Sequence, residues 1–282
     1  MGQRGDMRTI STAFGAAAST YDAYAGVQET VARNLMERLA PSFDDAGAGK
    51  RILEIGAGTG LLTMQLLEKY PNASFLITDV SQDMLDTCQG KVTVWDSDHP
   101  IEALRSSRIE FRILDGQDIT SGLAGLQDVG AGPFDLIASS MTAHWFSDPI
   151  RSFEIWQKHL SPNGQIIYAI PGKDNFSWWK NHLKGCGLDF GGRVDLPDVL
   201  PGQAYQDNIT ICYKSFRAFC IMLDKTGAGT PKEGYIKPDL ADLLNAARGY
   251  QEKNNRTFPG DWDIRYGRLF RNSALLSPEY GG

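Results

Sequence analysis

Three glycines at alternate positions, Gly56, Gly58 and Gly60, follow the short strand-like run Ile52-Leu53-Glu54-Ile55. A helical pattern, Leu61-Leu62-Met64-Leu66-Leu67, comes directly after them. Glycine has no Cβ, so a strand–turn–helix of this kind lets a small cofactor lie against bare backbone, with Ala57 inside the turn. Glu54 stands two residues before the first glycine. A dinucleotide turn runs G-x-G-x-x-G and offers a helix N-terminus to a pyrophosphate. Here the spacing is G-x-G-x-G, and the Glu54 carboxylate would repel phosphate while suiting a cationic ligand. Asp79 follows Glu54 by 25 positions and closes a second apolar run, Ser74-Phe75-Leu76-Ile77-Thr78. An acid at the end of the second strand of an α/β unit can accept both hydroxyls of a ribose, roughly 20 residues after the glycine turn. His144, after a later strand, could serve as a base near neutral pH, or hold a structural hydrogen bond.

The elements that must position these groups alternate between strand and helix, which predicts an α/β fold with a mainly parallel sheet. Strands are expected at 52–55, 74–79, 109–114, 134–140 and 165–170. Ser81 is the expected N-cap of the helix after the second strand, and an amphipathic helix is expected over Pro149 to His159. Leu160-Ser161-Pro162-Asn163-Gly164 reads as a turn, and the glycine-rich stretch 44–49 as a linker between an N-terminal helix and the core. With 282 residues the chain exceeds the usual single-domain size, so an elaborated core is expected. No apolar run reaches the roughly 18–20 residues of a membrane span, and residues 1–9 lack the apolar stretch of a secretory signal. The four scattered cysteines are expected as reduced thiols in a cytoplasmic protein, and no metal is expected. A net charge of −6 argues against nucleic acid as substrate.

The glycine turn with Glu54 resembles motif I of class I S-adenosylmethionine (SAM)-dependent methyltransferases, whose cofactor carries a sulfonium and an ammonium but no phosphate. The fold this implies is a Rossmann-like seven-stranded class I methyltransferase sheet with helices on both faces and a helical cap. The cofactor site implied is Glu54, Gly56, Ala57, Gly58, Gly60, Asp79, Val80, Met84, Asp115, Gly116, Gln117, Asp118 and Ser139. Within it the turn Asp115–Asp118 would bracket the adenine. Ser139 belongs to the strand-end motif that leads into His144 and Trp145.

The N-terminal segment narrows the resemblance. Phe14, Ala17, Ala18, Tyr21, Asp22, Ala25 and Gln28 follow the pattern F-x-x-A-A-x-x-Y-D-x-x-A-x-x-Q of the malonyl-[acyl-carrier protein] O-methyltransferase family of biotin synthesis. The resemblance runs from about residue 10 to 270 and is more specific before residue 150 than after 172. The chain departs from the family at His144-Trp145, where Gln-Trp is common, and in 91–108 and 176–193. The organisation it implies is a lid segment over 1–45, a SAM-binding core over 46–171, a substrate cap over 172–235, and a C-terminal helix and strands over 236–282.

A malonyl carboxylate is ionised at neutral pH, so methyl transfer to it needs no base but does need alignment and desolvation. A cation to hold it was expected among Lys173, Lys180, Arg193 and Arg217, with Tyr21 shielding the cofactor and Trp145 walling the acceptor. Lys173, Lys180, Lys184 and Arg193 could also form a basic face for an acidic acyl carrier protein. Two alternatives stand beside this reading: a small-molecule methyltransferase with a re-shaped cap, and a non-catalytic SAM-binding assembly protein.

Overall fold

Seven strands form one sheet in the order β3-β2-β1-β4-β5-β7-β6. The structure, a computed structural model, describes residues 7–98, 108–124, 132–189, 200–227 and 238–275. The chain opens with α1 (Met7–Ala17), a 3-10 turn over Tyr21–Ala23 and α2 (Gly26–Leu39). Then come β1 (Arg51–Ile55), α3 (Leu61–Lys69), β2 (Ser74–Asp79), α4 (Gln82–Asp98), β3 (Ile109–Ile113), α5 (Ile119–Leu123) and β4 (Phe134–Ser140). The second half holds α6 (Pro149–Lys158), β5 (Leu160–Pro171), α7 (Ser177–Gly185), β6 (Gln203–Tyr213), α8 (Phe216–Lys225), α9 (Leu240–Lys253) and β7 (Phe258–Phe270). Strands β1 to β5 run parallel, and β7 lies antiparallel between β5 and β6.

Successive residues of a strand face opposite sides of the sheet, and the sequence supplies apolar side chains for both. Ile52, Ile77, Leu136 and Ile167 pack on one side, with α2, α3, α7, α8 and α9. Leu53, Leu76, Ile137 and Ile166 pack on the other, with α5 and α6. α2 puts Val31, Leu35, Met36 and Leu39 into the first of these layers. The segment expected as a lid therefore divides. α2 is a core helix, and the chain before it is tied to the glycine turn, where Asp22 accepts from the Thr59 hydroxyl.

Two stretches differ from the sequence expectation in detail. β5 starts at Leu160 rather than 165, because Leu160 pairs with Phe134 before the register jumps to Leu136–Gln165. Ser161 to Gly164 are taken up as a bulge in that strand, and the Ser161 hydroxyl donates to Asp135 at 3.1 Å. Of residues 172–235, β6 forms the outer edge of the sheet, while α7 and α8 pack on β7. The start of α7 is fixed from β7: the Ser177 hydroxyl and the Trp178 N–H both donate to the buried Asp261 carboxylate. Beside it, Arg265 makes a two-pronged ion pair with Asp263, at 2.8 and 2.9 Å. Among the described residues no helix is long and apolar enough to cross a membrane.

Candidate active site

The glycine turn is held in shape from β2. The N–H groups of Gly56 and Ala57 both donate to the Thr78 carbonyl at 2.9 Å. The Asp79 carboxylate then bridges two turns, accepting from Gly58 N–H at 2.8 Å and from Ser81 N–H at 2.9 Å. Each carboxylate oxygen keeps a lone pair for a ligand hydroxyl. Burial raises the Asp79 pKa above the usual aspartate range, and the N–H groups of Ser81, Gly58 and Val80 oppose that shift. Gly56 has φ +71°, and a Cβ there would lie 2.2 Å from Thr142 Cγ2. The end of β4 thus packs against bare backbone at this point.

These elements line a partly open cavity at the C-terminal ends of the parallel strands. Its floor includes Gly56, Ala57, Gly58, Asp79, Val80 and Met84. Leu114, Gly116 and Phe146 line it further along. Phe14, Tyr21, Gln28 and Ala32 come from the N-terminal segment, and Ser140, Met141, Thr142 and Trp145 from the chain after β4. The Trp145 ring meets Phe14 edge-on at 5.5 Å. Asp22 pins the covering segment down. Its carboxylate accepts from the Thr59 hydroxyl at 2.6 Å and pairs with the Lys91 ammonium on α4. The Ser11 hydroxyl on α1 donates to the Val80 carbonyl at 3.2 Å.

Of the residues singled out in the sequence, Tyr21, Gly56, Ala57, Gly58, Asp79, Val80, Met84, Gly116 and Trp145 meet on this cavity. Others support it from behind. Ser139 donates to the Ile55 carbonyl at 3.0 Å, and Gly60, at φ +94°, gives room to Cys88. Asp115 accepts from Gln117 N–H, Gln117 accepts from Ser147, and Asp118 caps α5 through Thr120 N–H. These two acids and one amide shape the turn expected beside the adenine, and only Gly116 of its four residues lines the cavity. His144 stands off the wall with its ring 4.8 Å from Trp145.

The cations expected near the acceptor are elsewhere. Lys173 and Arg217 are exposed, and the Lys180 ammonium donates to the Lys173 carbonyl at 3.3 Å. Arg193 falls outside the described residues. Among the described residues no lysine, arginine or histidine lines the cavity. Sequence reasoning gave no role to Gln28, Ser140, Thr142 or Phe14. Gln28 did carry a signal, since it occupies the apolar stripe of α2 at i, i+4 and i+7 with Ala32 and Leu35.

The donor set fits S-adenosylmethionine. Glu54 is 1% exposed behind the glycine turn, with Oε2 accepting from Thr63 at 2.7 Å and Oε1 unpartnered among the described residues. The Asp79 carboxylate beside a cradle of bare backbone suits a ribose and would repel a pyrophosphate, and a cationic ligand would favour ionisation of Glu54 behind the turn. Burial pushes the Glu54 pKa up to about 8, the Thr63 hydroxyl opposing and Asp79 adding to the shift. The folded protein therefore keeps a proton that the unfolded chain releases near pH 4. The stability of the ligand-free protein is expected to fall as pH rises from about 5 to 8. Melting curves across that range should show the slope reduced in Glu54→Gln; an unchanged slope would refute the assignment.

A family model described as a methyltransferase domain matches residues 53–166. The chain is 33% identical over 248 residues to a malonyl-[acyl-carrier protein] O-methyltransferase of Magnetococcus marinus, covering 83% of each protein. It is 25% identical to malonyl-[acyl-carrier protein] O-methyltransferase 2 of Ilyobacter polytropus, covering 88% of this chain and 91% of that one. It also matches the biotin biosynthesis bifunctional protein BioCD of Bordetella avium at 29% identity, spanning 87% of this chain and 49% of that longer protein. Among solved structures, the YcgJ protein of Bacillus subtilis superposes with a TM-score of 0.47 at 12% identity, covering 84% of this chain and 96% of that one.

Proposed function

The chain belongs to the malonyl-[acyl-carrier protein] O-methyltransferase family, and on that premise we propose that it esterifies the free carboxylate of a malonyl thioester on acyl carrier protein, in biotin synthesis. The observation that carries the reading beyond family membership is the character of the cavity wall. It offers neutral hydrogen-bond donors and aromatic rings, but neither histidine nor lysine among the described residues to deprotonate a hydroxyl or an amine. An ionised carboxylate needs no such base.

S-adenosylmethionine supplies a methyl group activated on a positively charged sulfur. The chain's part is to hold, align and dry the reactants. The glycine turn and Asp79 would hold the ribose end, and Leu114, Gly116 and Phe146 would line the place of the adenine. Tyr21, Phe14 and Trp145 exclude water, which strengthens every polar contact inside. Burial and the nearby Asp79 and Asp22 carboxylates raise the Tyr21 pKa, so its hydroxyl stays protonated and acts as a donor. Acceptor oxygen, methyl and sulfur must then lie in line within about 3–3.5 Å, a task of positioning alone.

The same reading places the reaction in the cytoplasm, in keeping with free thiols at Cys88, Cys186, Cys212 and Cys220, and gives the protein no nucleic-acid partner. Lys173, in the turn before α7, and Lys184, near its end, are exposed and would face an acidic carrier protein. The test is methyl transfer from labelled S-adenosylmethionine to malonyl-carrier protein, with malonyl-CoA and free malonate alongside. Base-labile label on the carrier is expected, with an advantage over malonyl-CoA that shrinks as salt rises. If the protein binds the cofactor but labels no malonyl species, the proposed acceptor is wrong.

A further inference from the structure

α2 is a core helix that carries one amide into its apolar stripe. Gln28 is 7% exposed, it lines the cavity with Ala32 one turn on, and its Oε1 has no hydrogen-bond partner among the described residues. Ser140, at the end of β4, also lines the cavity with a buried, unpartnered hydroxyl oxygen. α2 packs against β4 and β5, so the two elements that carry these side chains adjoin beside the cavity that both residues line. The glycine turn and Asp79 lie on other elements. Buried polar groups are rarely left unpaired, and two on one cavity wall point to a polar ligand that completes them.

The reaction decides what that ligand group is. A carboxylate and a sulfonium combine to neutral products, so charge disappears on the way to the transition state. A lysine or arginine on the acceptor would stabilise the ground state more than the transition state and slow the step. Neutral donors orient a carboxylate at less cost. The unpartnered Gln28 atom is the amide oxygen, an acceptor; turned about its last bond the amide presents its N–H₂ there instead, and a serine hydroxyl can donate in any direction about its own last bond.

We propose that Gln28 and Ser140 form the carboxylate-recognition site for the acyl group, donating the Gln28 amide N–H and the Ser140 O–H to the oxygens of the methyl acceptor. This rests on the malonyl reading above and supplies the specificity element that the expected cations do not. Butyryl thioesters, of similar length but without the carboxylate, would leave both donors unpaired and be rejected.

The test uses Gln28→Met, which keeps the length of the side chain, and Gln28→Glu, which sets a carboxylate against a carboxylate. With malonyl-carrier protein varied, Gln28→Met is expected to raise KM about 10- to 50-fold, with kcat within about threefold. Gln28→Glu is expected to lower kcat/KM at least about 100-fold. Affinity for S-adenosylhomocysteine, read by calorimetry, and inhibition by butyryl-carrier protein should stay within about twofold of the parent. An unchanged KM in Gln28→Met would overturn the proposal. Weakened S-adenosylhomocysteine binding would also do so, since it would make Gln28 a cofactor residue, and so would equal losses for malonyl and butyryl carriers. Those outcomes are read in protein whose parent is active on malonyl-carrier protein; an inactive parent removes the acceptor reading, and this assignment with it.

Discussion

Replacing Asp79 by alanine is expected to weaken S-adenosylhomocysteine binding by at least about 100-fold. The carboxylate does two jobs at once. It ties the Gly58 N–H to the Ser81 N–H, at 2.8 and 2.9 Å, and so fixes the glycine turn relative to the turn after β2. Asp79 also lines the cavity, where its remaining lone pairs would accept from the ribose hydroxyls. A hydrogen bond to a charged group contributes about 1.5–3 kcal/mol, and every 1.4 kcal/mol is tenfold in affinity. Alanine removes the ribose contacts and leaves two backbone donors without their partner. Asparagine keeps one acceptor but points an N–H₂ at a backbone N–H, so an intermediate loss of about tenfold or more is expected. Calorimetry on the three proteins settles the order. Equal affinity in parent and Asp79→Ala would show that the ribose is held elsewhere.

The second large effect is expected at Gly56→Ala, which should abolish measurable turnover. At φ +71° a side chain is strained before it touches anything, by about 1–2 kcal/mol. The new Cβ would then lie 2.2 Å from Thr142 Cγ2, 2.3 Å from its Oγ1 and 2.7 Å from its Cβ. Rotating the threonine cannot clear the last of these. The backbone after β4 must move, and it carries the short turn Ala143–Trp145 that walls the acceptor side. One methyl group thus disturbs the cofactor floor and the acceptor wall together. Thr142→Gly should rescue the double variant in part, by at least about tenfold over Gly56→Ala alone, because it removes the clash and leaves the backbone strain. Without such rescue, the damage would be local to the turn.

The sequence made the cofactor floor legible and the acceptor wall obscure, for a physical reason. A cradle needs glycines and an acid at fixed offsets within one strand–turn–helix unit, so Gly56, Gly58 and Asp79 can be read locally. The five parallel strands were readable for the same reason: each is a short apolar run bounded by turn residues. The bulge at Ser161–Gly164 was not, since Ser-Pro-Asn-Gly is good turn chemistry and only the partner strand decides that it stays in register on either side. The acceptor wall is assembled from side chains far apart in the chain, and a glutamine in a helical stripe looks like an imperfection until the cavity opposite is seen. Among the described residues none of Lys173, Lys180 and Arg217 lines the cavity, and Arg193 lies outside them. A cation binds a carboxylate tightly, whereas catalysis turns on what binds the charge-dispersed transition state better than the ground state.

The position of the N-terminal segment, ahead of the glycine turn in the chain, has a consequence for re-engineering. Residues 14–32 supply one side of the cavity as a single contiguous segment, while the cofactor floor begins only at Ile55. The stretch between them includes the linker turn, with left-handed backbone at Asp45, Ala46, Gly47 and Gly49. One side of the cavity is therefore written in a passage of the chain separate from the glycine turn, while Ser140 to Trp145 supply the rest of the acceptor wall. A graft of residues 14–32 from a relative with another acceptor would exchange that side and leave the glycine turn in place. The seam would be Val31, Leu35 and Leu39, whose packing on α3 and the sheet has to be carried across unchanged for the transplant to seat.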